Sequence, residues 1–202
     1  MQLWSLSHRH GMACPLKTQP LMRRVLCVHG EGGSAIDSWR RMSADQARAV
    51  QHVSMRDGRL TGPCSADSVW QRLSSLQAMH LISSQLDSLP PPCQLQQLVS
   101  LDLSHSTGLT ELPSLQPMHS LQYLSLRFCF QLELRTALQL PAAVRVVDMC
   151  GCIRAQTRPN LPDLRVVNLN YCLGELILSS INPAAEYSCN TACCWSARWQ
   201  NT

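Results

Sequence analysis

The sequence predicts an α/β-type repeat solenoid: an arc with a parallel β-sheet on its concave side and loop or short helix on its convex side. One spacing carries most of that prediction. The pattern L-x-x-L-x-x-L-x-L-x-x-[S/C] occurs as Leu73-Leu76-Met79-Leu81-Ser84, Leu95-Leu98-Leu101-Leu103-Ser106 and Met118-Leu121-Leu124-Leu126-Cys129. Val144-Val147-Met149-Cys152 and Leu161-Leu164-Val167-Leu169-Cys172 continue it. The second observation is the step: positions 76, 98, 121, 144 and 164 lie 22, 23, 23 and 20 residues apart, a regularity that coincidence does not explain. The third is composition. Hydrophobic residues make up 45% of the chain but aromatics only 5%, so Leu carries most of the apolar mass, as stacked leucine ladders require.

Taken in order, residues 1–20 show no period and read as a flexible leader. Residues 21–69 read as a degenerate N-terminal repeat or capping region. There Val25-Leu26-Cys27-Val28 is a short apolar run entering the Gly-rich His29-Gly30-Glu31-Gly32-Gly33-Ser34, the pattern of a strand that runs into a turn. Asp37 to Ala49 is compatible with a helix capped by Asp37 or Ser38. Val50-Val53-Met55 has the spacing of an incomplete repeat strand, and Gly62-Pro63 breaks the chain before the clear array at residues 70–181.

Within each unit the L-x-L core is a short strand whose alternate residues face opposite sides. Strands centred near residues 80, 102, 125, 148 and 168 are expected to pair in parallel and line the inner side. A turn follows each, then a return arm closed by Leu86-Leu89-Pro90 or Leu109-Leu112-Pro113, where Pro suits a segment that needs no ladder hydrogen bond. Leu132-Glu133-Leu134 fits this closing pattern poorly, so an irregular loop is expected between 121 and 144. Leu176-Ile177-Leu178 is a poor polar cap for an array. Residues 182–202 lose the period and read as an irregular tail that contributes no strand.

The phrases LVSLDLSHSTGLTELPSL and LPDLRVVNLNYC resemble the leucine-rich-repeat region of plant-type nucleotide-binding immune receptors, whose units follow L-x-x-L-x-x-L-x-L-x-x-C-x-x-L-x-x-L-P. The period also falls in the range of ~20–29 residues typical of that repeat class. The resemblance covers residues 70–175. It implies a leucine-rich-repeat arc and a sensor-type role in defence. Ser38-Trp39-Arg40 through Val50-Gln51-His52-Val53-Ser54-Met55 faintly resembles the junction that precedes the repeats in those receptors. The nucleotide-binding module is absent: no G-x-x-x-x-G-K-[ST] occurs.

Several classes of function fall away. The net charge of +4 sits unevenly, with nine basic and four acidic residues in 1–60 against eight and nine in 61–202. There is no run of five like charges and no basic stretch interleaved with aromatics, so no nucleic-acid partner is expected. No apolar run reaches the ~18 residues of a transmembrane helix, and the amino terminus lacks the apolar core of a signal peptide. No membrane association is expected. Eleven cysteines are an odd number, and Cys129, Cys152 and Cys172 share one repeat slot. They read as reduced core thiols in a cytoplasmic protein.

Val25 to Ser34, followed by Trp39, resembles the strand and His-Gly oxyanion loop of α/β-hydrolases. No G-x-S-x-G nucleophile elbow accompanies it, and the repeats leave no room for that sheet. Cys189, Cys193 and Cys194 lack the matched second pair of a zinc site, and His52, His80, His105 and His119 are scattered. No enzyme activity, metal or small-molecule cofactor is expected.

Recognition remains. Three files of residues flank the core leucines: Ala78, Ser100, Tyr123, Val146 and Val166; His80, Asp102, Ser125, Asp148 and Asn168; Ile82, Ser104, Arg127, Cys150 and Asn170. The middle file is polar and rich in acceptors. The expected function is a non-enzymatic module that binds a protein on its concave face through His80, Asp102, Tyr123, Ser125, Arg127, Asp148, Asn168 and Asn170. Tyr123 and Arg127 would be its anchors, since Tyr and Arg dominate interface hot spots. The alternative is a substrate-recognition adaptor or scaffold, such as a ubiquitin-ligase subunit.

Overall fold

The structure, a computed structural model, describes residues 5–7, 25–29, 41–57, 59–60, 69–86, 89, 91–134, 139–154, 164–172 and 186–188. Its strands are β1 (Ser5–Ser7), β2 (Val25–His29), β3 (His52–Arg56), β4 (Arg59–Leu60), β5 (Ala78–Ile82), β6 (Gln85–Leu86), β7 (Ser100–Asp102), β8 (Tyr123–Ser125), β9 (Val146–Asp148), β10 (Val166–Asn168) and β11 (Glu186–Ser188). Nine of them form one sheet in the order β1-β2-β3-β5-β7-β8-β9-β10-β11, and β4 pairs with β6 apart from it. Every pairing is parallel.

Parallel neighbours that are also consecutive rungs require the chain to return to the same edge each time. That makes the arrangement solenoid-like. Register shows the rhythm directly: Ser5↔Cys27, Val25↔His52, His52↔Ala78, Ala78↔Ser100, Ser100↔Tyr123, Tyr123↔Val146, Val146↔Val166 and Val166↔Glu186 are steps of 22, 27, 26, 22, 23, 23, 20 and 20 residues.

Helix is scarce. Helix α1 (Ala44–Ala49) and helix α2 (Val69–Arg72) precede β3 and β5 on the inward path, and a 3₁₀ turn covers Pro92–Gln94. The start of α1 differs from the sequence expectation. Arg41 to Ser43 are not helical, and Ser43 is the cap. The Ser43 hydroxyl accepts from the Gln46 amide at 3.2 Å while Gln46 Oε1 accepts from the Ser43 amide at 3.0 Å. Three residues after Asp37 or Ser38 stand Arg40 and Arg41, neither of which can accept that return bond. Below α1, the Arg72 guanidinium donates to the Met42 carbonyl and ties the two inward arms together.

Each repeat file predicted as core is buried in the structure. Leu76, Leu98, Leu121, Val144 and Leu164 form one stack; Met79, Leu101, Leu124, Val147 and Val167 the next; Leu81, Leu103, Leu126, Met149 and Leu169 the third. Val53 and Met55 extend two of these stacks into β3, as the spacing of the incomplete repeat predicts. The four short strands β7 to β10 are centred one residue before the predicted positions; they end before the second core residue, although Leu103, Leu126, Met149 and Leu169 still donate their amides to the Ser125, Asp148, Asn168 and Ser188 carbonyls of the next unit. Leu132 and Leu134 are buried, and the Glu133 amide donates to Thr110 O at 2.9 Å. So Leu132-Glu133-Leu134, expected to fit the closing pattern poorly, closes its unit in register with the one before; residues 135–138, within the step where an irregular loop is expected, lie outside the described residues.

The turn after each strand has one feature that sequence spacing does not reveal. Asp57, Ser83, His105, Phe128, Gly151 and Tyr171 all have positive φ, between 53° and 76°. Each lies four residues after the buried residue of its strand. In this left-handed conformation Asp57, Ser83, His105, Phe128 and Gly151 donate their amides to Ile82, Ser104, Arg127, Cys150 and Asn170 carbonyls of the next unit, at 2.7–3.1 Å. A second ladder runs the other way. The Ser106 hydroxyl and the Cys129, Cys152 and Cys172 thiols donate to the Leu81, Leu103, Leu126 and Met149 carbonyls of the preceding unit, at 3.3, 3.2, 2.9 and 3.0 Å. Small donors suit this slot because it is fully enclosed and faces a carbonyl; those of Leu103, Leu126 and Met149 also accept the amides of Ser106, Cys129 and Cys152, so the side chain supplies a second donor.

Both ends depart from the sequence reading. Glu186–Ser188, inside the stretch expected to contribute no strand, pairs with β10, and Ser5–Ser7 within the predicted leader pairs with β2. An open sheet edge offers backbone N–H and C=O groups to any extended segment, whatever its side chains, so no leucine pattern is required. The segments with Gly62-Pro63 and Leu176-Ile177-Leu178, and most of residues 1–20 and 182–202, lie outside the described residues.

Two stability outcomes follow from this packing. Leu124→Ala should destabilise the fold by about 2–5 kcal/mol, as for other enclosed leucines; a urea titration giving less than about 1 kcal/mol would remove Leu124 from the ladder. At Gly151, with φ +76°, an added Cβ would lie 2.4 Å from Phe128 Cδ1. Gly151→Ala should therefore cost at least about 1 kcal/mol, and the cost should fall in a Phe128→Ala background, where a double-mutant cycle reads the clash separately from backbone strain.

Candidate functional site

The sheet has two faces, and only one is closed by the leucine stacks. On the other stand the three files of polar and mixed residues. Their acceptors are partly used by the backbone. Asp102, Asp148 and Asn168 each turn Oδ1 onto the amide two residues on, at Ser104, Cys150 and Asn170, with distances of 2.9, 3.0 and 3.1 Å. These are the amides that the ladder leaves without a backbone partner as the chain leaves the strand. An Asp or Asn side chain takes them because it is the right length to reach its own backbone two residues on. The acceptor bias of the middle file thus has a structural cause at three of its five positions.

Ser125 has another role. It is 1% exposed, and its hydroxyl lies 2.8 Å from that of Ser104. Ser104 Oγ donates to Asp102 Oδ1, so it accepts from Ser125, and the three groups form a directed chain beneath the face. Ser104 and Cys150 are buried as well. The remaining predicted residues are more open. His80 Nε2 lies 3.4 Å from Ser100 Oγ, Tyr123 is half-buried, and Arg127 keeps 47% of its side chain exposed. Asn170 donates to Ser188 Oγ at 2.7 Å, which ties β10 to β11, while its Oδ1 is buried without a partner.

Register brings Tyr123, Arg127 and Asp148 together on two adjacent rungs, with Asp102 on the rung before. His80 and Asn168 sit at opposite ends of the middle file. Arg127 is fixed from two sides. Its guanidinium stands 5.7 Å from the Phe128 ring centroid, and one nitrogen is 3.6 Å from Asp148 Oδ2. Phe128 in turn packs against His105, with centroids 4.8 Å apart, and against Phe130 at 5.9 Å. Phe130 and Tyr171 are 40% and 58% exposed. This aromatic strip along the turn edge is missed by a reading centred on leucine files. A signal was present: the chain has two Phe, both here and both outside the core stacks.

The four buried thiols, Cys129, Cys150, Cys152 and Cys172, are poor nucleophiles. Burial pushes Cys129 and Cys172 up from the ordinary 9.0 to about 11 and raises Cys152 as well; Asp102 near Cys129, and Asp148 near the other two, add to the rise. Burial first and Asp148 second also raise Cys150. Protonated thiols donate hydrogen bonds but do not attack or bind metal readily. Among the described residues no group of three or more His, Cys, Asp or Glu is placed to hold a metal ion, and no helix is long and apolar enough to cross a membrane. His29 ends β2, while the Gly-rich residues 30–34 and Cys189, Cys193 and Cys194 lie outside the described part.

No protein-family model matches the chain, and no curated protein matches it either.

The thiol ladder generates a pH dependence. A thiol raised in the folded state contributes stability that is fully present below its ordinary value of 9.0 and is lost as pH rises through the folded value. Each such thiol should remove about 1.4 kcal/mol per pH unit across the window from about 9 to 11. Urea midpoints should therefore be flat from pH 7 to 8.5 and fall steeply above 9. A Cys129→Ser/Cys172→Ser variant, whose hydroxyls do not titrate there, should show a shallower fall.

Proposed function

We propose that the chain is a non-enzymatic leucine-rich-repeat module that binds a protein partner on the open face of its sheet. The observation that carries this reading is the arrangement of Tyr123 and Arg127. They flank the buried Ser125 on the two outer files beside a continuous parallel sheet, and neither is needed by the core stacks. The strand steps of 20–27 residues support the leucine-rich type. So does the Ser/Cys slot that binds the preceding carbonyl. A sensor role like that of plant-type immune-receptor repeats, in defence, rests on the sequence resemblance over residues 70–175. A cytoplasmic setting suits the thiol ladder, since oxidation would abolish its S–H donors.

Within this reading Tyr123 and Arg127 supply the contact energy, while Asp102, Asp148 and Asn168 hold their turns and Asn170 ties β10 to β11. His80 and Asn168 mark the lateral limits of the face. Ser125 acts from below, through Ser104 and Asp102.

The test begins with affinity capture by the full chain from a cell lysate, side by side with a Tyr123→Ala/Arg127→Ala variant. A partner retained only by the unmodified chain is then purified and titrated calorimetrically. Each single substitution should weaken binding by about 1–3 kcal/mol with the urea midpoint unchanged. Affinity that survives both substitutions would place recognition elsewhere.

A further inference from the structure

Arg127 makes no side-chain hydrogen bond among the described residues, although it is held in place. Its contact with Asp148 Oδ2 is 3.6 Å, beyond hydrogen-bonding distance. The reason is on the other oxygen of the same carboxylate. Asp148 Oδ1 accepts from the Cys150 amide at 3.0 Å, which tethers the carboxylate to its own turn. It attracts the guanidinium without closing a bidentate pair. A guanidinium has five N–H donors in a rigid fork, so Arg127 is left charged, oriented and with its donors unused.

The orientation comes from Phe128, and it is maintained against strain. Phe128 has φ 56°, a conformation that costs a bulky residue more than it costs Gly. Its ring lies across Gly151, where any side chain would displace it, and stacks on His105. The same left-handed conformation recurs at five other turns, so what is particular to this one is the ring that the half-buried Phe128 sets against the Arg127 guanidinium. Beside it, exposed Phe130 and Tyr171 supply apolar surface.

We propose that Arg127 binds a carboxylate on an acidic segment of the protein partner, with Phe128 as its positioning residue and Phe130 receiving an apolar neighbour of that carboxylate. The proposal rests on the partner-binding reading above and names the chemistry of the partner. Charge selects a carboxylate over a phosphate. Asp148 stands close enough to repel an incoming anion, and a monoanion suffers less from it than a dianion does. A planar carboxylate also matches the guanidinium fork through two parallel bonds.

The probe is a capped peptide, acetyl-Ala-Glu-Leu-amide, titrated into the isotope-labelled full chain while the Arg127 Nε–Hε NMR signal is followed. The Gln peptide of the same length and inorganic phosphate are titrated in parallel. A saturable shift is expected with the Glu peptide, at least about five-fold weaker binding with the Gln peptide, since charge-assisted pairs are roughly twice as strong as neutral ones, and weaker binding of phosphate. In Arg127→Lys, followed through the backbone amide signals of Phe128 and Asp148, which are also recorded for the unmodified chain, the saturable shift with the Glu peptide should be lost. Phe128→Ala should weaken it about two- to five-fold, the size of an exposed cation–π contact, and Phe128→Tyr should restore it. Equal binding of the Gln peptide, tighter binding of phosphate, no shift up to the solubility of the Glu peptide, or indifference to Phe128→Ala would each overturn the proposal. If it is overturned while Tyr123→Ala still weakens the captured partner, the broader reading survives without it.

Discussion

The left-handed residue that closes six strands in succession along the sheet, β3, β5 and β7 to β10, is the constraint on which the rest depends. A strand of three residues has little pairing of its own, and a parallel neighbour can be reached only by a long return. The positive-φ residue reverses the chain within a few positions while keeping its amide in the plane of the sheet, where the next unit's carbonyl receives it. From there the Ser or Cys one residue later falls inside, beneath the turn, against the carbonyl of the previous unit. The same turn carries the middle-file Asp and Asn onto the amides at Ser104, Cys150 and Asn170. Core, ladder and face are therefore set by one backbone choice. Five of its six occupants are not Gly, so the strain is accepted repeatedly and offset by bonds on both sides.

Much of this was legible in the sequence. Leucine spacing identifies the buried files residue by residue, because a stacked unit has only one way to hide them. The shared slot of Cys129, Cys152 and Cys172 is visible too. What could not be read is what depends on backbone geometry. Nothing in His105, Phe128 or Tyr171 as residue types announces a left-handed conformation, which spacing alone would reserve for Gly. Nor do Glu186 to Ser188 look like a strand, since edge pairing uses the main chain. The start of α1 was readable in principle: Ser43 and Gln46 form a capping box, and the longer helix pattern obscured it.

The candidate site was legible as a set of positions and less so as a set of roles. Tyr123 and Arg127 stand on the two outer files, one on each side of Ser125, with Tyr123 half-buried and Arg127 exposed. The acceptors beside them read as ligand-facing because polar residues on a strand ordinarily are. Three of them turn out to satisfy backbone amides, and Ser125 is sealed beneath the face. A polar file on a solenoid thus has two demands on it, from the chain itself and from whatever it meets. Residues whose side chains can reach their own backbone serve the first; longer ones such as Arg127 are free for the second.

The directionality of the ladders bears on how such a chain changes over time. From Asp57 to Gly151 the amides at the positive-φ slot point to the following unit, and from Ser106 to Cys172 the Ser or Cys side chains point to the preceding one, whereas the Ser84 hydroxyl donates to Ile82 O of its own unit. The junctions from Ser106 to Cys172 present the same set of donors and acceptors. A whole unit could be duplicated or lost by recombination without leaving a mismatched seam. The array can lengthen, shorten or exchange segments while each surviving rung finds its usual neighbours, and the open face is reshuffled in blocks of about twenty residues as a by-product.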